Sequence, residues 1–338
     1  MTMPAVGIAV TEPTHAAEAR RAALRLADRM QFDEQAQGRL ALVVTEIATN
    51  VLKHGRGGRV LLSPVDECGS GALDTFGVDS GPGMANLAEC LRDGFSTAGS
   101  PGTGLGAIRR LADESDVYTE PGKGTVIRAR CRPAGRNEQR REGPDMDIDG
   151  IVLPMAGLAE SGDAWATNRR DGGATILVAD GLGHGEGAAE AALSAVAVFR
   201  KRASAEPGAL MEELHPALRG TRGAAAAIAH VDTQRGKLTF VGVGNISASI
   251  WHPSKSQHLV SMNGIVGHHM SRVRTFVYEW LPGSILVMHS DGVRTRWRLE
   301  DYAGLQAKPA GLIAGVLLRD AARGTDDACV VVARSRAA

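Results

Sequence analysis

The chain has 338 residues, 43% hydrophobic and 22% charged, and its 38 basic side chains balance 38 acidic ones. That balance excludes a global attraction to nucleic acid or to an anionic membrane, and an aromatic content of 4% leaves few rings for stacking single-stranded bases. The cysteines Cys68, Cys90, Cys131 and Cys329 are scattered without a CxxC pair, the N-terminus has no secretory pattern, and no apolar run approaches the ~20 residues of a spanning helix, so a reducing cytoplasm is the expected location.

Length makes two domains the starting expectation. Residues 6–10 predict a short strand, and 16–30 a helix rich in Ala, Arg and Leu. Over 33–54, apolar residues fall at Leu40, Val43, Val44, Ile47 and Val51, the spacing of one helix face. Glu46, Asn50 and His54 form a row along the edge of that face, which fits either half-buried side chains reaching a pocket or a solvated flank. Gly55, Gly57 and Gly58 end the helix. A strand at 59–65, a turn through 69–71 and a second strand lead to Asp79 in DSGPGM (79–84). Gly81 and Gly83 allow the backbone to approach a ligand closely, and Asp79 offers an acceptor for an exocyclic amine. GTGLG (102–106) then precedes a helix start at 107–112, where unpaired N–H groups and the helix dipole make a phosphate cradle. A hairpin with strands near 116–119 and 125–130, joined by EPGKG, follows.

The order E-x-x-x-N on a helix, DxGxG after a strand, GTGLG before a helix and then GKGT (122–125) resembles the GHKL ATP-binding family, most of all its small bacterial RsbT-type switch kinases and anti-sigma ATPases. The resemblance covers 1–132 and implies a Bergerat-type α/β sandwich that binds ATP and Mg2+. It implies that Asn50 ligates the Mg2+, that Asp79 bonds the adenine amine, and that Gly81, Gly83, Gly102, Thr103, Gly104, Leu105, Gly106 and Thr125 belong to the nucleotide pocket and its lid. Glu46 would be the general base that prepares a serine hydroxyl on a protein substrate.

Residues 133–147 are read as a linker, since PAGRNEQRREGP (133–144) holds one apolar residue among charged, Gly and Pro residues. Its arginines are interrupted by Glu138 and Glu142, against a basic nucleic-acid patch. From 149 onward the texture is β-rich, with apolar runs at 151–155, 175–179, 224–231, 238–243, 284–288 and 329–333 and two helical stretches near 187–202 and 207–218. Asp180 in DGLGHG (180–185) would by itself read as an ordinary turn. Asp163, Asp291 and Asp326, however, stand at comparable strand ends, and a sheet can gather such carboxylates into a site for Mg2+ or Mn2+.

The order GD, DGxGHG, SDG and DD before a terminal strand resembles the PPM family of metal-dependent Ser/Thr phosphatases, and GKLTFVGVGNIS is similar to its SpoIIE and RsbX branch. That resemblance covers about 148–335 and implies that the second domain, 148–338, is a β-sandwich flanked by helices. It implies two Mn2+ or Mg2+ ions, with Asp180 bridging them as the central catalytic residue and the Gly181 carbonyl, Asp163, Asp291 and Asp326 completing the ligands. Asp327 is the register rival of Asp326, and Cys329 stands where the family motif commonly has Thr. His184 fits a general acid or a turn residue beside the metals, His268 and His269 fit loop positions, and the four tryptophans fit packing roles.

The expected class is therefore α+β in two domains. Together the resemblances imply a bifunctional regulator that phosphorylates, and dephosphorylates, a Ser or Thr of a STAS-domain antagonist in a partner-switching pathway. The rival expectation is a phosphatase whose ATP domain only binds, as an anti-sigma module for a sigma factor or a downstream phosphatase, or only gates hydrolysis.

Overall fold

A computed structural model of the chain describes residues 3–67, 70–90, 104–133, 146–170, 172–202, 206–270 and 272–335. Its elements run β1 (Val6–Val10), α1 (Pro13–Arg29), α2 (Glu34–Lys53), β2 (Gly58–Glu67), β3 (Ser70–Val78), α3 (Leu87–Cys90), α4 (Gly104–Leu111), β4 (Glu114–Glu120) and β5 (Gly124–Cys131). They continue with β6 (Met146–Leu153), β7 (Asp163–Arg170), β8 (Gly173–Gly181), α5 (Glu186–Lys201), α6 (Pro207–Ala217), β9 (Ala224–Asp232), β10 (Lys237–Val243), β11 (Ser247–His252) and β12 (Lys255–His258). The last are β13 (Gly264–Ile265), β14 (His269–Met270), β15 (Phe276–Glu279), β16 (Ile285–His289), α7 (Ala310–Ala321) and β17 (Ala328–Ser335). Two compact units result: Met3–Arg140 with Ala303–Arg319, and Arg141–Tyr302 with Asp320–Ala338. No helix among the described residues is long and apolar enough to cross a membrane.

The first unit is built on an antiparallel sheet in the order β1-β2-β3-β5-β4. Leu40, Val43, Val44, Ile47 and Val51 of α2 are buried with Ala19, Ala23 and Leu26 of α1 against Val60, Leu62, Leu73, Ile127 and Ala129 of the sheet. The Asp33 carboxylate caps α2 by accepting from Ala36 N at 3.0 Å, and left-handed Arg56 (φ 58) and Gly57 (φ 96) turn the chain away after it. Alternation along β3 and β5 puts Asp74, Phe76, Val126, Arg128 and Arg130 on the opposite face. There Asp74 is buried between Arg130 Nε at 2.6 Å and Arg128 Nε at 2.9 Å. The late segment 303–319 belongs to this unit: Lys308 Nζ lies 2.8 Å from Asp116 Oδ1, and a Cβ added at Gly315 would come within 3.1 Å of the Phe76 ring.

The second unit is a sandwich of two antiparallel sheets, β15-β10-β9-β8-β7 and β12-β11-β16-β17-β6. Ile176, Val178, Leu238 and Phe240 of one sheet meet Leu286, Met288 and Val331 of the other. Leu177 and Ala179 point the other way, into a layer with Ala192 and Phe199 of α5 and Leu210 and Leu214 of α6. Burial on both faces explains why 174–179 reads as an unbroken apolar run rather than an alternating one. The α+β class expected from the sequence is the class observed.

The sequence reading left out α3, β7, β11, β12, β13, β14, β15 and α7, and α4 starts at Gly104, ahead of the expected 107. β7 alternates Trp165 toward the sandwich core with Ala164 and Ala166 toward the helices, and it ends in polar residues, so it has no apolar run. In α7 Leu312, Ile313, Ala314, Val316, Leu317 and Leu318 are all buried, and a helix apolar all round lacks the stripe by which helices are recognised.

Candidate functional sites

In the first unit the polar row of α2 meets the start of α4. Glu46 and Asn50 are half-buried, and a Cβ added at Gly104 would lie 3.2 Å from Asn50 Oδ1 and 3.8 Å from Glu46 Oε2. Glycine at 104 thus keeps open the space that those two side chains face. Asn50 Nδ2 is buried with no partner among the described residues, an unsatisfied group of the kind that a bound ligand commonly completes. Leu105 and Gly106 continue α4, while Gly102 and Thr103 lie outside the described residues. His54, the third member of the row, is exposed at the C-cap of α2.

Asp79 follows β3 and is 7% exposed. Its Oδ1 accepts from Gly81 N at 2.9 Å and Thr125 N at 3.2 Å. Burial raises its pKa, opposed by these two bonds and by the charges of Arg319 and His54. Gly81 passes Gly55 so closely that a Cβ would come within 2.8 Å of the Gly55 backbone, and Gly83, at φ 68, could carry none without meeting the Glu120 carbonyl at 2.1 Å. These turns border a cavity of ≈ 430 Å³ lined by Gly55, Arg56, Gly57, Ser80, Gly81, Pro82 and Gly122. Thr125 is buried beside Asp79, its hydroxyl 3.1 Å from that of Thr119.

In the second unit Asp163 and Asp180 face each other across the β7–β8 pair, and Gly181 N donates to Gly162 O at 2.8 Å. The strand ends that carry Asp291 and Asp326 come near enough for their charges to be felt. Burial first, and then Asp291, Asp326 and Asp327, push the Asp180 pKa up to about 7. Burial and Asp180 hold Asp163 well above the usual carboxylate range, and burial and Asp326 raise Asp291. Among the described residues no three His, Cys, Asp or Glu side chains close around one point. The carboxylates repel across a shared space, as uncompensated like charges do. Asp163 Oδ1 is buried without a partner among the described residues, and the donors are all hard oxygens. That set fits Mg2+ or Mn2+.

Glycine follows each turn aspartate for a packing reason. A Cβ at Gly181 would lie 2.0 Å from Ala188 O, and one at Gly292 would lie 1.8 Å from Asp327 O. Three supporting residues escaped the sequence reading. Ser290 Oγ donates to Asp163 Oδ2 at 2.6 Å and accepts from Cys329 N at 2.9 Å, Asn245 Nδ2 donates to Asp291 Oδ2 at 2.7 Å, and Arg323 Nε donates to Asp291 O at 2.8 Å. Ser290 and Asn245 sit inside the quoted SDG and GKLTFVGVGNIS runs, which were the available signal. His184 is exposed, and His268 Nε2 lies 3.1 Å from Thr221 O, a loop contact.

Asp326 and Asp327 separate by their bonds. Asp327 is buried, with Oδ1 accepting from Met155 N at 2.7 Å and Oδ2 from Gly162 N at 2.8 Å. Asp326 is half-buried and takes only the N–H of Asp327, at 2.9 Å, among the described residues. Asp327→Ala should therefore cost about 2–4 kcal/mol of stability by stranding two N–H groups. Asp326→Ala should stay within about 1 kcal/mol of the parent chain. Urea unfolding checks both, and equal losses would erase the distinction.

The raised carboxylates also set a pH dependence. Their folded pKa values exceed the unfolded value of 3.8, so between those values the folded chain holds protons that the unfolded chain has released. The cost of ionising Asp180 is absent below about pH 4, grows through the window and is complete above about pH 7. Without divalent ions, Asp180→Asn should be more stable than the parent chain at pH 7.5, with the advantage shrinking toward pH 5 at up to about 1.4 kcal/mol per pH unit. An advantage independent of pH in urea titrations would contradict this.

Comparison with known proteins matches residues 9–131 to the histidine kinase-like ATPase domain and residues 170–336 to the stage II sporulation protein E (SpoIIE) family. The serine/threonine-protein kinase RsbT of Bacillus subtilis (strain 168) is 32% identical over 111 residues, 33% of this chain and 84% of RsbT. The phosphoserine phosphatase RsbX of the same organism is 26% identical over 142 residues, 42% of this chain and 71% of RsbX. A solved structure of RsbX in complex with magnesium covers 58% of this chain and 96% of its own, at 22% identity and a TM-score of 0.52, a likeness of fold.

Proposed function

We propose that this chain, which belongs to the histidine kinase-like ATPase family through its RsbT-type first half and carries a SpoIIE-type Ser/Thr phosphatase domain in its second, is a partner-switching regulator that both adds and removes a phosphoryl group. The observation that carries the reading is the presence in one chain of two unlike sites. One has a half-buried carboxylate and amide facing a glycine-lined space; the other has aspartates from separate strand ends raised by burial and by one another's charge.

In the first site, Asp79 would accept the adenine amine, Asn50 would hold the Mg2+ of Mg-ATP, and Glu46 would take the proton of a substrate serine or threonine hydroxyl. The two N–H bonds to its Oδ1 fix the orientation of the buried Asp79 carboxylate for such a role. In the second site, Asp163, Asp180, the Gly181 carbonyl, Asp291 and Asp326 would hold two divalent ions. Such ions supply neutralisation of phosphoryl charge and a more acidic water. The chain's own contribution is orientation, with Ser290 fixing Asp163 and Asn245 fixing Asp291. The partner on this reading is a STAS-domain antagonist. The test is mass spectrometry of such a partner incubated with the full chain and Mg-ATP, and then, in phosphorylated form, with the chain and Mn2+. Gain of a phosphoryl group in the first and its loss in the second are expected. ATP binding without transfer would reduce the first half to a binding module, and absence of both reactions would end the proposal.

A further inference from the structure

One guanidinium borders the DGLGHG loop without a carboxylate partner among the described residues. Arg222 is exposed just before β9. The carbonyl of the next residue, Gly223, accepts from Leu182 N at 3.0 Å, and Asp180 pairs with Ala225 in the β8–β9 register, so Arg222 is carried alongside the loop after Asp180. Its guanidinium fills space that two glycines leave. A Cβ at Gly187 would lie 2.6 Å from Arg222 Nε, and one at Gly183 would lie 3.2 Å from Nη1. Among the described residues its one hydrogen bond runs from Nη1 to the His184 carbonyl, at 3.3 Å. Arg323, also at this end of the sandwich, differs: its Nε donates to the Asp291 carbonyl at 2.8 Å, and its charge opposes the rise that burial and Asp326 impose on the Asp291 carboxyl. Leu182, beside Arg222, is 39% exposed.

We propose that Arg222 is a substrate-binding residue that takes the phosphoryl oxygens of a phosphoserine or phosphothreonine protein as it enters the aspartate site. The inference rests on the phosphatase reading of the second unit and adds the group that recognises the substrate. A phosphoryl dianion approaching Asp163, Asp180, Asp291 and Asp326 meets repulsion, and a guanidinium at the rim supplies attraction there. The planar fork of Arg matches two phosphoryl oxygens at once, which an ammonium cannot do. Exposed Leu182 gives the adjoining peptide an apolar contact.

The test uses the full chain with Mn2+, a phosphoserine peptide and its unphosphorylated copy. Arg222→Ala should lower kcat/KM for the phosphopeptide by about tenfold, chiefly through KM, and Arg222→Lys should recover part of the loss. In an Asp180→Asn background, which removes turnover, Arg222→Ala should weaken the Kd of a fluorescein-labelled phosphopeptide by about tenfold and leave the unphosphorylated peptide unaffected. Unchanged kcat/KM and Kd would overturn the role of Arg222, as would equal weakening for both peptides, the mark of a merely structural contact. An unsubstituted chain that releases no phosphate with either Mn2+ or Mg2+ would overturn the phosphatase reading and this inference with it.

Discussion

Asp180→Ala is expected to reduce phosphate release from a phosphoserine protein by at least about a hundredfold, because metal-borne charge stabilisation of a phosphoryl transition state is worth several kcal/mol. Asp180 is paired with Asp163 across β7–β8 and repelled by Asp291, Asp326 and Asp327. Removing it takes away a carboxylate whose charge acts with those of Asp163, Asp291, Asp326 and Asp327. The fold should survive, since an ionised Asp180 in the metal-free chain is a source of repulsion rather than of stability. Colorimetric phosphate release with Mn2+, from a phosphopeptide and from an aryl phosphate, measures the effect. Retained turnover on both substrates would remove Asp180 from the reaction. Loss on the peptide alone would make it a recognition residue.

Glu46→Gln should cut transfer of phosphate from ATP to a STAS partner by about 10²–10⁴, the usual contribution of a positioned general base, while nucleotide still binds. The separation of the two effects follows from placement. Glu46 lies beside Asn50 at Gly104, whereas the adenine acceptor Asp79 is held by Gly81 N and Thr125 N. Fluorescent-nucleotide binding and partner phosphorylation, measured on the same preparation, check it. Unchanged transfer would leave Glu46 without a role as base, and lost binding would assign it to holding nucleotide instead.

Much of the frame was legible because it rests on local periodicity. The α2 stripe from Leu40 to Val51 is buried as its spacing predicts, and the run 174–179 is a strand covered on both sides. The glycines after Asp180 and Asp291 were visible as motif letters. Their reason was not, because the atoms that exclude a side chain there belong to Ala188 and Asp327, brought close only by folding. α7 was illegible for another reason: a helix buried all round has no period to detect, and its grouping with the first unit depends on contacts across most of the chain.

The sequence by itself determined the α+β class, the family likeness of each half and the short motifs in which its acids, amides and glycines stand. Tertiary structure decided what those letters do to one another. It commits Asp327 to the N–H groups of Met155 and Gly162, leaves Asp326 near Asp180, and sets Ser290 between Asp163 and Cys329. It also lays Arg222 against Gly183 and Gly187. Hydrogen bonds and charge repulsion act over a few ångströms between strand ends that are more than a hundred residues apart in the chain, and no local pattern records such a distance.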